Sequence, residues 1–500
     1  MNAALLLQNL TFGYDAAAPP LFTDLEAHFP IGWTGVVGAN GAGKSTLLRL
    51  AAGIIEPWQG RVSGVGKAVY CSQRTDSIPE GLPRFLAAAD GEARRLRGRL
   101  GIVSDWPSRW ETLSHGERKR AQIALALWRE PELLAVDEPT NHLDIFSRSL
   151  LASALSEWRG VGILVSHDRE LLDGLCRQCL FLEPGVIVMR PGGYTRGAEQ
   201  AAGERRSTRE QALRIRREAA RLKREAARRR SRAAGADRRR SKRSLARKDA
   251  DGREKLDRAR ITGKDGTDGR LLRQLNGRLR HLELEAQQLH VPKETALKFW
   301  LTGSISRRDQ VLALAPGNLN LGGRRTLTWP DLTLRPADRV ALTGANGAGK
   351  STLLRFLVAS SGLDTEKLVY LPQEIALERS QQILASARAL PRAELGHLMT
   401  VVSGLGSDPE ALLQTPVPSP GETRKLLLAL GVTRRPHLIV MDEPTNHLDL
   451  PSIELLEQAL ATCPCALLLV SHDLRFLTAT TRRRWEIRSL NEEELVLREV

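Results

Sequence analysis

The chain has 500 residues, with 74 Lys+Arg against 58 Asp+Glu, a formal net charge of +16 and five cysteines. Its length fits about three units of ordinary domain size, and a sparse, odd set of cysteines excludes a disulfide framework. No apolar run approaches the ~18 residues needed to cross a bilayer, and no basic-then-apolar leader opens the chain, so a cytoplasmic location is expected.

The first informative element is Gly38-Ala39-Asn40-Gly41-Ala42-Gly43-Lys44-Ser45-Thr46. G-x-x-x-x-G-K-S/T is a phosphate cradle, because its glycines let backbone N–H groups wrap an anion. Lys44 reaches the β- and γ-phosphates, Ser45 offers a hydroxyl to Mg2+, and the following helix adds its positive end. Further on, the apolar run Leu133-Leu134-Ala135-Val136 ends in Asp137-Glu138 and fits a buried parallel strand. Cys176-Arg177-Gln178-Cys179 has no second pair at zinc spacing and is expected in the helix after His167 as ordinary packing.

The middle of the chain carries the charge. Between Tyr194 and His290 lie 30 basic and 14 acidic residues, so the remainder balances at 44 against 44. Ala212, Ile215, Ala219, Leu222 and Ala226 step as a coiled-coil seam, and Leu272, Leu275, Leu279, Leu282, Ala286 and Leu289 do the same, which predicts an antiparallel helical hairpin. Gly263 to Gly269 is expected to break helix before the second arm, and residues 233–261 to form the tip. Arg228, Arg229, Arg230, Arg238, Arg239, Arg240, Lys242 and Arg243 are the candidate nucleic-acid contacts. Thr195 to Lys298 holds no Phe, Tyr or Trp, so the platform on which single strands stack is missing. Cationic side chains alone suit the phosphates of a folded nucleic acid. A solvated helical spacer is the alternative, and the interspersed acids favour it for part of the outer face.

The second half then repeats the first. Gly344, Asn346, Gly347, Gly349, Lys350, Ser351 and Thr352 restore the phosphate cradle at an offset of 306, and Leu438-Ile439-Val440-Met441 again leads into an acid pair, Asp442-Glu443, at an offset of 305. Asp-Glu-Pro-Thr-Asn-His-Leu-Asp and Val-Ser-His-Asp occur in both halves. A period this long means a duplicated catalytic domain.

Leu113-Ser114-His115-Gly116-Glu117 resembles the signature of ATP-binding cassettes, Asp137-Glu138 and Asp442-Glu443 resemble Walker B with its glutamate, Gln73 and Gln373 resemble Q-loop glutamines, and His167 and His472 resemble switch histidines. Tandem halves, the shared Asp-Glu-Pro-Thr-Asn-His-Leu-Asp wording and the basic hairpin together resemble the ABC-F family. The resemblance implies an α/β fold: an ATPase domain over 1–193, a basic hairpin linker over 194–292 and a second ATPase domain over 293–500. It implies ATP and Mg2+ as cofactors. Ser45, Gln73 and Asp137, with Ser351, Gln373 and Asp442, would hold the metal. Glu138 and Glu443 would polarise the attacking water, with His167 and His472 at the γ-phosphate and Asp144 and Asp449 at the seam between the halves. Ser114 and Gly116, and Ser419 and Gly421, would bind the nucleotide held by the opposite phosphate loop. Tyr14, 24 residues before Gly38, would stack on adenine, and Leu319 to Gly323 offers no counterpart. Trp329 is too close to the loop to be one.

The leading expectation is an ATPase that binds the ribosome when closed on ATP, its hairpin reaching toward P-site tRNA and the peptidyl-transferase centre, as a monomer that pairs its own halves. Rescue of stalled translation, regulation and antibiotic resistance all remain open. A DNA-binding ATPase is a second reading, though only 28 residues follow His472 and no C-terminal coiled-coil extension is expected. The nucleotide-binding subunit of a transporter is a third.

The second signature reads Pro418-Ser419-Pro420-Gly421-Glu422, and proline brings no N–H. The hypothesis is that the site pairing the first phosphate loop with Ser419 and Gly421 hydrolyses more slowly. In single-turnover assays Glu443→Gln, which spares that site, should be slower than Glu138→Gln; equal residual rates would end the idea.

Overall fold

A computed structural model describes residues 4–141, 143–183, 186–239, 265–288, 301, 303–491 and 493–500, with side chains at 232–239, 265–270, 272 and 288 left aside. The chain divides into two compact units, Met1–Gly197 with Thr295–Val500, and Ala198–Glu294. It is an α/β protein in which the first unit holds both ATPase halves.

In the first half the sheet order is Ala68–Cys71, Leu133–Asp137, Val161–Val165, Gly32–Gly38, Cys176–Glu183 and Val186–Pro191. All neighbours are parallel except the last pair. Leu133–Asp137 and Val161–Val165 are buried along their whole length, as strands covered on both faces must be. The second half repeats this order with Leu368–Leu371, Leu438–Asp442, Ala466–Val470, Arg339–Gly344, Arg483–Ser489 and Glu494–Glu499, then continues into Arg325–Trp329 and Gly317–Gly322. In the first half the matching hairpin, Leu5–Phe12 with Phe22–Phe29, stays in a separate sheet of three strands. Short helices fill the stretch between Q-loop and signature: Leu82–Ala87 and Gly91–Leu100 in one half, Leu377–Arg388, Arg392–Gly404 and Pro409–Gln414 in the other.

The C-x-x-C expectation needs correcting. The helix after His167 ends at Leu175, and Cys176 and Cys179 lie on a strand that pairs with Gly32–Gly38. A Cβ at Gly35 would stand 2.8 Å from Cys179 Sγ, so the thiols fill space that a glycine leaves. All five cysteines are buried and free.

In the second unit, Tyr194–Arg239 and Asp265–Gln288 are helical. Ile215, Leu222, Leu279 and Leu282 are buried together, with Ala219 and Leu275 against them, so the predicted seams meet. Burying each large side chain contributes about 1.5–3 kcal/mol. Glu218 pairs with Arg278 and Arg230 with Asn276, later residues of one arm meeting earlier ones of the other, as in an antiparallel hairpin. Two details differ from expectation. Ala286 is exposed, because the seam has already passed it. The second helix starts at Asp265, so Gly266 and Gly269 sit inside it; glycine costs only about 1 kcal/mol in a helix, which the leucine seam outweighs. The first arm extends to Arg239, so residues 233–239, expected in the tip (233–261) and including Arg238, continue the helix instead; Arg240, Lys242, Arg243, Leu289 and the rest of the expected tip, 240–261, lie outside the described residues. Among the described residues no helix is long and apolar enough to cross a membrane.

Candidate active site

Each phosphate loop joins a central strand to a helix: Gly32–Gly38 to Lys44–Ala51, and Arg339–Gly344 to Lys350–Ser360. The turn into the helix needs a left-handed residue, and Gly43 (φ 90°) and Gly349 (φ 87°) provide it. Neither helix start has a side-chain cap, so its amides stay available to an anion. Lys44 Nζ donates to Gly38 O and Ala39 O at 2.9 and 3.0 Å, and Lys350 Nζ to Gly344 O and Ala345 O at 2.8 and 3.0 Å. Burial lowers the pKa of both lysines, and the nearby carboxylates, Glu138 foremost at Lys44 and Glu443 at Lys350, oppose that shift.

Glu138 (φ 45°) and Glu443 (φ 49°) occupy left-handed backbone, a conformation that costs a non-glycine residue on the order of 1–3 kcal/mol and that clusters at working sites. The bend aims each carboxylate under its switch histidine. Glu138 Oε1 stands 3.1 Å from His167 Nε2, and Glu443 Oε1 3.5 Å from His472 Nε2. The other oxygen of each accepts the histidine's own backbone N–H at 3.2 and 3.3 Å. Burial pushes Glu138 up to about 8 and Glu443 up to about 7, and pushes both histidines down to about 3. The imidazoles are therefore neutral hydrogen-bonding groups at physiological pH.

The acid before each glutamate suits a hard cation. Among the described residues Asp137 Oδ1 is buried with no hydrogen-bond donor, while its Oδ2 accepts from Tyr70 OH at 3.0 Å. Burial raises Asp442, whose two oxygens have no hydrogen-bond partner among the described residues, and the neighbouring Ser351 hydroxyl is the largest influence against that shift. Oxygen donors from Asp, Ser and Gln fit Mg2+. In the second half, a cavity of about 330 Å³ brings together Asn346, Gly347, Gly349, Lys350, Ser351, Thr352, Gln373, Asp442, Glu443 and His472, and adds Leu321, Arg325 and Asn446, which sequence reasoning missed. Ser114 and Gly116 do not line that cavity. In the first half Tyr14 OH meets Thr46 Oγ1 at 2.8 Å, and Gln73 is exposed.

The halves meet through the same loops. Asp449 caps its own helix by accepting Ser452 N–H at 2.9 Å through Oδ1, and its Oδ2 accepts Asn40 N–H, from the first phosphate loop, at 2.8 Å. Asn40 Nδ2 also donates to His447 O at 3.1 Å. In the mirror contact, burial pushes Asp144 up, but Ser147 and the Asn346 amide outweigh it and hold the carboxyl low. Arg148 donates to His472 O at 3.2 Å, Arg169 pairs with Glu457 at 3.0 Å, and Arg475 with Asp173 at 2.7 Å. These arginines escaped the sequence because they have no duplicate: the positions 305 along from Arg148 and Arg169 are Ile453 and Leu474.

Both signature serines cap their helices in reciprocal boxes, Ser114 with Glu117 and Ser419 with Glu422. Pro420 takes the first helical position, where a missing N–H costs the helix nothing but removes a free donor. Four positions beyond each turn's start comes a buried cation. Lys119 Nζ donates to Ser72 O (2.6 Å) and Asp137 O (3.1 Å), while Arg424 donates to Gln373 O and to Glu443 O (2.6 Å). Each therefore ties signature helix, Q-loop and Walker B strand of one half together.

An ABC transporter family model matches residues 28–141 and 327–446. The ATP-binding protein Uup of Caulobacter vibrioides is 31% identical over 92% of this chain and 73% of its own length. The chain belongs to the ABC-F family. Other ABC-F relatives include the ribosome protection protein VmlR of Bacillus subtilis, 29% identical over 90% of this chain and 80% of its own. The tylosin resistance ATP-binding protein TlrC of Streptomyces fradiae is 30% identical over 91% and 92%. A solved structure titled RNase-L Inhibitor superposes with a TM-score of 0.62 at 18% identity, covering 98% of this chain and 90% of that one, which shows the shared fold. As an ABC-F protein with two such domains, the chain is an ATPase.

Two outcomes follow for ABC-F chemistry here. Removing a charged donor from two carbonyls loses on the order of 1.5–3 kcal/mol, so Lys119→Met should slow single-turnover hydrolysis at least about tenfold and Lys119→Arg should recover most of it; a wild-type rate in the methionine variant would contradict the tie. For the glutamates, the unfolded chain gives up its protons near pH 4.3 while the folded one keeps them to about pH 7–8. Their stabilising effect is thus present at low pH and lost as pH rises to about 8. Glu138→Gln with Glu443→Gln should raise the thermal midpoint more at pH 8.5 than at pH 5; an equal gain at both would contradict the burial argument.

Proposed function

We propose that this ABC-F protein binds the ribosome in its ATP-closed state and acts on translation, with the hairpin reaching toward P-site tRNA and the peptidyl-transferase centre. The observation that carries this reading is where the charge lies: the whole net +16 sits between Tyr194 and His290, on a hairpin with no aromatic side chain from Thr195 to Lys298. Within the hairpin, acids are spent on internal pairs such as Glu225 with Arg229 and Glu283 with Lys223, which leaves an excess of arginine on the outside. Arg228 is exposed, Arg229 is held by Glu225, and Arg230 reaches Asn276. Relatives named for ribosome protection and tylosin resistance, and a solved assembly titled as ribosome-bound, support the same partner. Ribosome protection against an antibiotic is the outcome those names favour, and on this reading the protein acts in the cytoplasm as a monomer.

In the reaction, the Lys44 and Lys350 loops hold the triphosphates, and Ser45, Gln73 and Asp137, with Ser351, Gln373 and Asp442, hold Mg2+, which neutralises charge on the phosphates. Glu138 and Glu443 orient the attacking water, and neutral His167 and His472 hydrogen-bond the γ-phosphate. Ser114 and Gly116, and Ser419 and Gly421, complete the opposite sites when the halves close. Loss of the γ-phosphate weakens that closure and releases the ribosome.

The Glu138→Gln, Glu443→Gln chain should co-sediment with ribosomes in ATP and not in ADP, with affinity falling steeply as salt rises. Deleting residues 205–280 should abolish co-sedimentation and leave ATP binding intact. Tighter binding to duplex DNA than to ribosomes across the same salt series would replace this reading.

A further inference from the structure

The two nucleotide sites differ at the base. In the first half the hairpin pairs Phe12 with Phe22 and leaves nine residues, 13–21, in its loop. That loop carries Tyr14, a residue 69% exposed, whose ring stands edge-on to Phe12 at 5.2 Å and is held beside the phosphate loop by its bond to Thr46. In the second half Gly322 pairs with Arg325 and only two residues intervene. Positive φ at Gly322 and Gly323 (103° and 60°) makes so tight a turn feasible. The segment that would carry a stacking ring is not present in that hairpin.

What replaces it is Arg325. Leu321 packs on the phosphate loop, where a Cβ at Gly349 would meet its Cδ1 at 2.7 Å, but Leu21 does the same beside Gly43 in the first half, where a Cβ would meet its Cδ2 at 2.9 Å. The Arg325 guanidinium reaches the same loop, with Nη1 3.9 Å from a Cβ position on Gly347. At Gly41, the equivalent glycine of the first half, no described residue lies within 4 Å of such a Cβ. Among the described residues no aromatic lines the second cavity, and Thr352, the counterpart of Thr46, opens into it.

We propose that Arg325 is the specificity-determining residue of the second site, which recognises the polyphosphate and accepts nucleoside triphosphates with either purine or pyrimidine bases, while the first site requires a purine to cover Tyr14. This rests on the cavity being a nucleotide site. A two-ring base covers more of a tyrosine face than a one-ring base and gains more from stacking. A guanidinium beside the phosphate loop gives its energy to the phosphates, and stacks on any base that lies against it.

The test is equilibrium binding of radiolabelled CTP and ATP, with Mg2+, to the full-length Glu138→Gln, Glu443→Gln chain. ATP should fill two sites per chain and CTP one. Lys350→Met should abolish CTP binding, Lys44→Met and Tyr14→Ala should leave it, and Arg325→Ala should weaken it about tenfold, the scale of one cation contact. Circular dichroism and the ATP stoichiometry of each variant establish that it is folded, and Arg325→Lys should restore CTP binding in part. CTP filling neither site, both sites, or only the site lost in Lys44→Met would overturn the proposal. ATP filling one site in the parent chain and remaining at that site in Lys350→Met would overturn the nucleotide reading of the cavity itself.

Discussion

A carboxylate from one ATPase half accepts a backbone amide from the other half's phosphate loop. Asp449 does two jobs at once, capping its own helix through Ser452 and gripping Asn40. The amide it holds belongs to the first phosphate loop, so if that loop holds a triphosphate as proposed, a change there would be felt at the start of a helix in the other half. Asp144 and the Asn346 amide repeat the arrangement. Bonds of this kind are directional and short, so a small movement of the loop breaks or makes them. On the proposed reading, that would give nucleotide chemistry a mechanical output at the seam without any long-range device.

Around this contact the site works by burial. Glu138 and Glu443 are held in strained backbone, shielded from water, with neutral histidines beside them. Such carboxyls give up their protons reluctantly, and the lysine of each phosphate loop is the strongest influence favouring the charged form. On the proposed reading, water orientation would thereby be linked to the charge state of the phosphate pocket. Lys119 and Arg424 add a second linkage, from signature helix to Q-loop and Walker B strand inside one half. Lysine in one half and arginine in the other make the two linkages chemically unequal, because arginine stays charged and lysine in so buried a place is pushed down to about 8.

Much of this was legible because it occurs twice. Phosphate loops, acid pairs and histidines recur in order, and the sheet puts them side by side at its strand ends. Residues that occur once were not legible. Arg169 pairs with Glu457 across the seam, but nothing at either position distinguishes it from any surface charge. Arg325 was invisible for another reason: its importance comes from a shortened hairpin, a change in backbone geometry rather than in motif. The C-x-x-C segment misled because cysteine behaves as a small apolar residue that suits a strand beside Gly35 as well as a helix. The heptad pattern, by contrast, located the stretches of the seams that meet, Ile215 to Leu222 and Leu275 to Leu282, though not Ala286, since period alone decides which side chains meet.

The central claim is that seam carboxylates convert nucleotide binding into productive closure. It is tested most directly by Asp144→Ala with Asp449→Ala, comparing steady-state hydrolysis with equilibrium ATP binding. The account predicts that kcat falls at least about tenfold, the scale of two lost charge-assisted hydrogen bonds, while ATP affinity changes little. An unchanged kcat in a folded, ATP-binding double variant would contradict it.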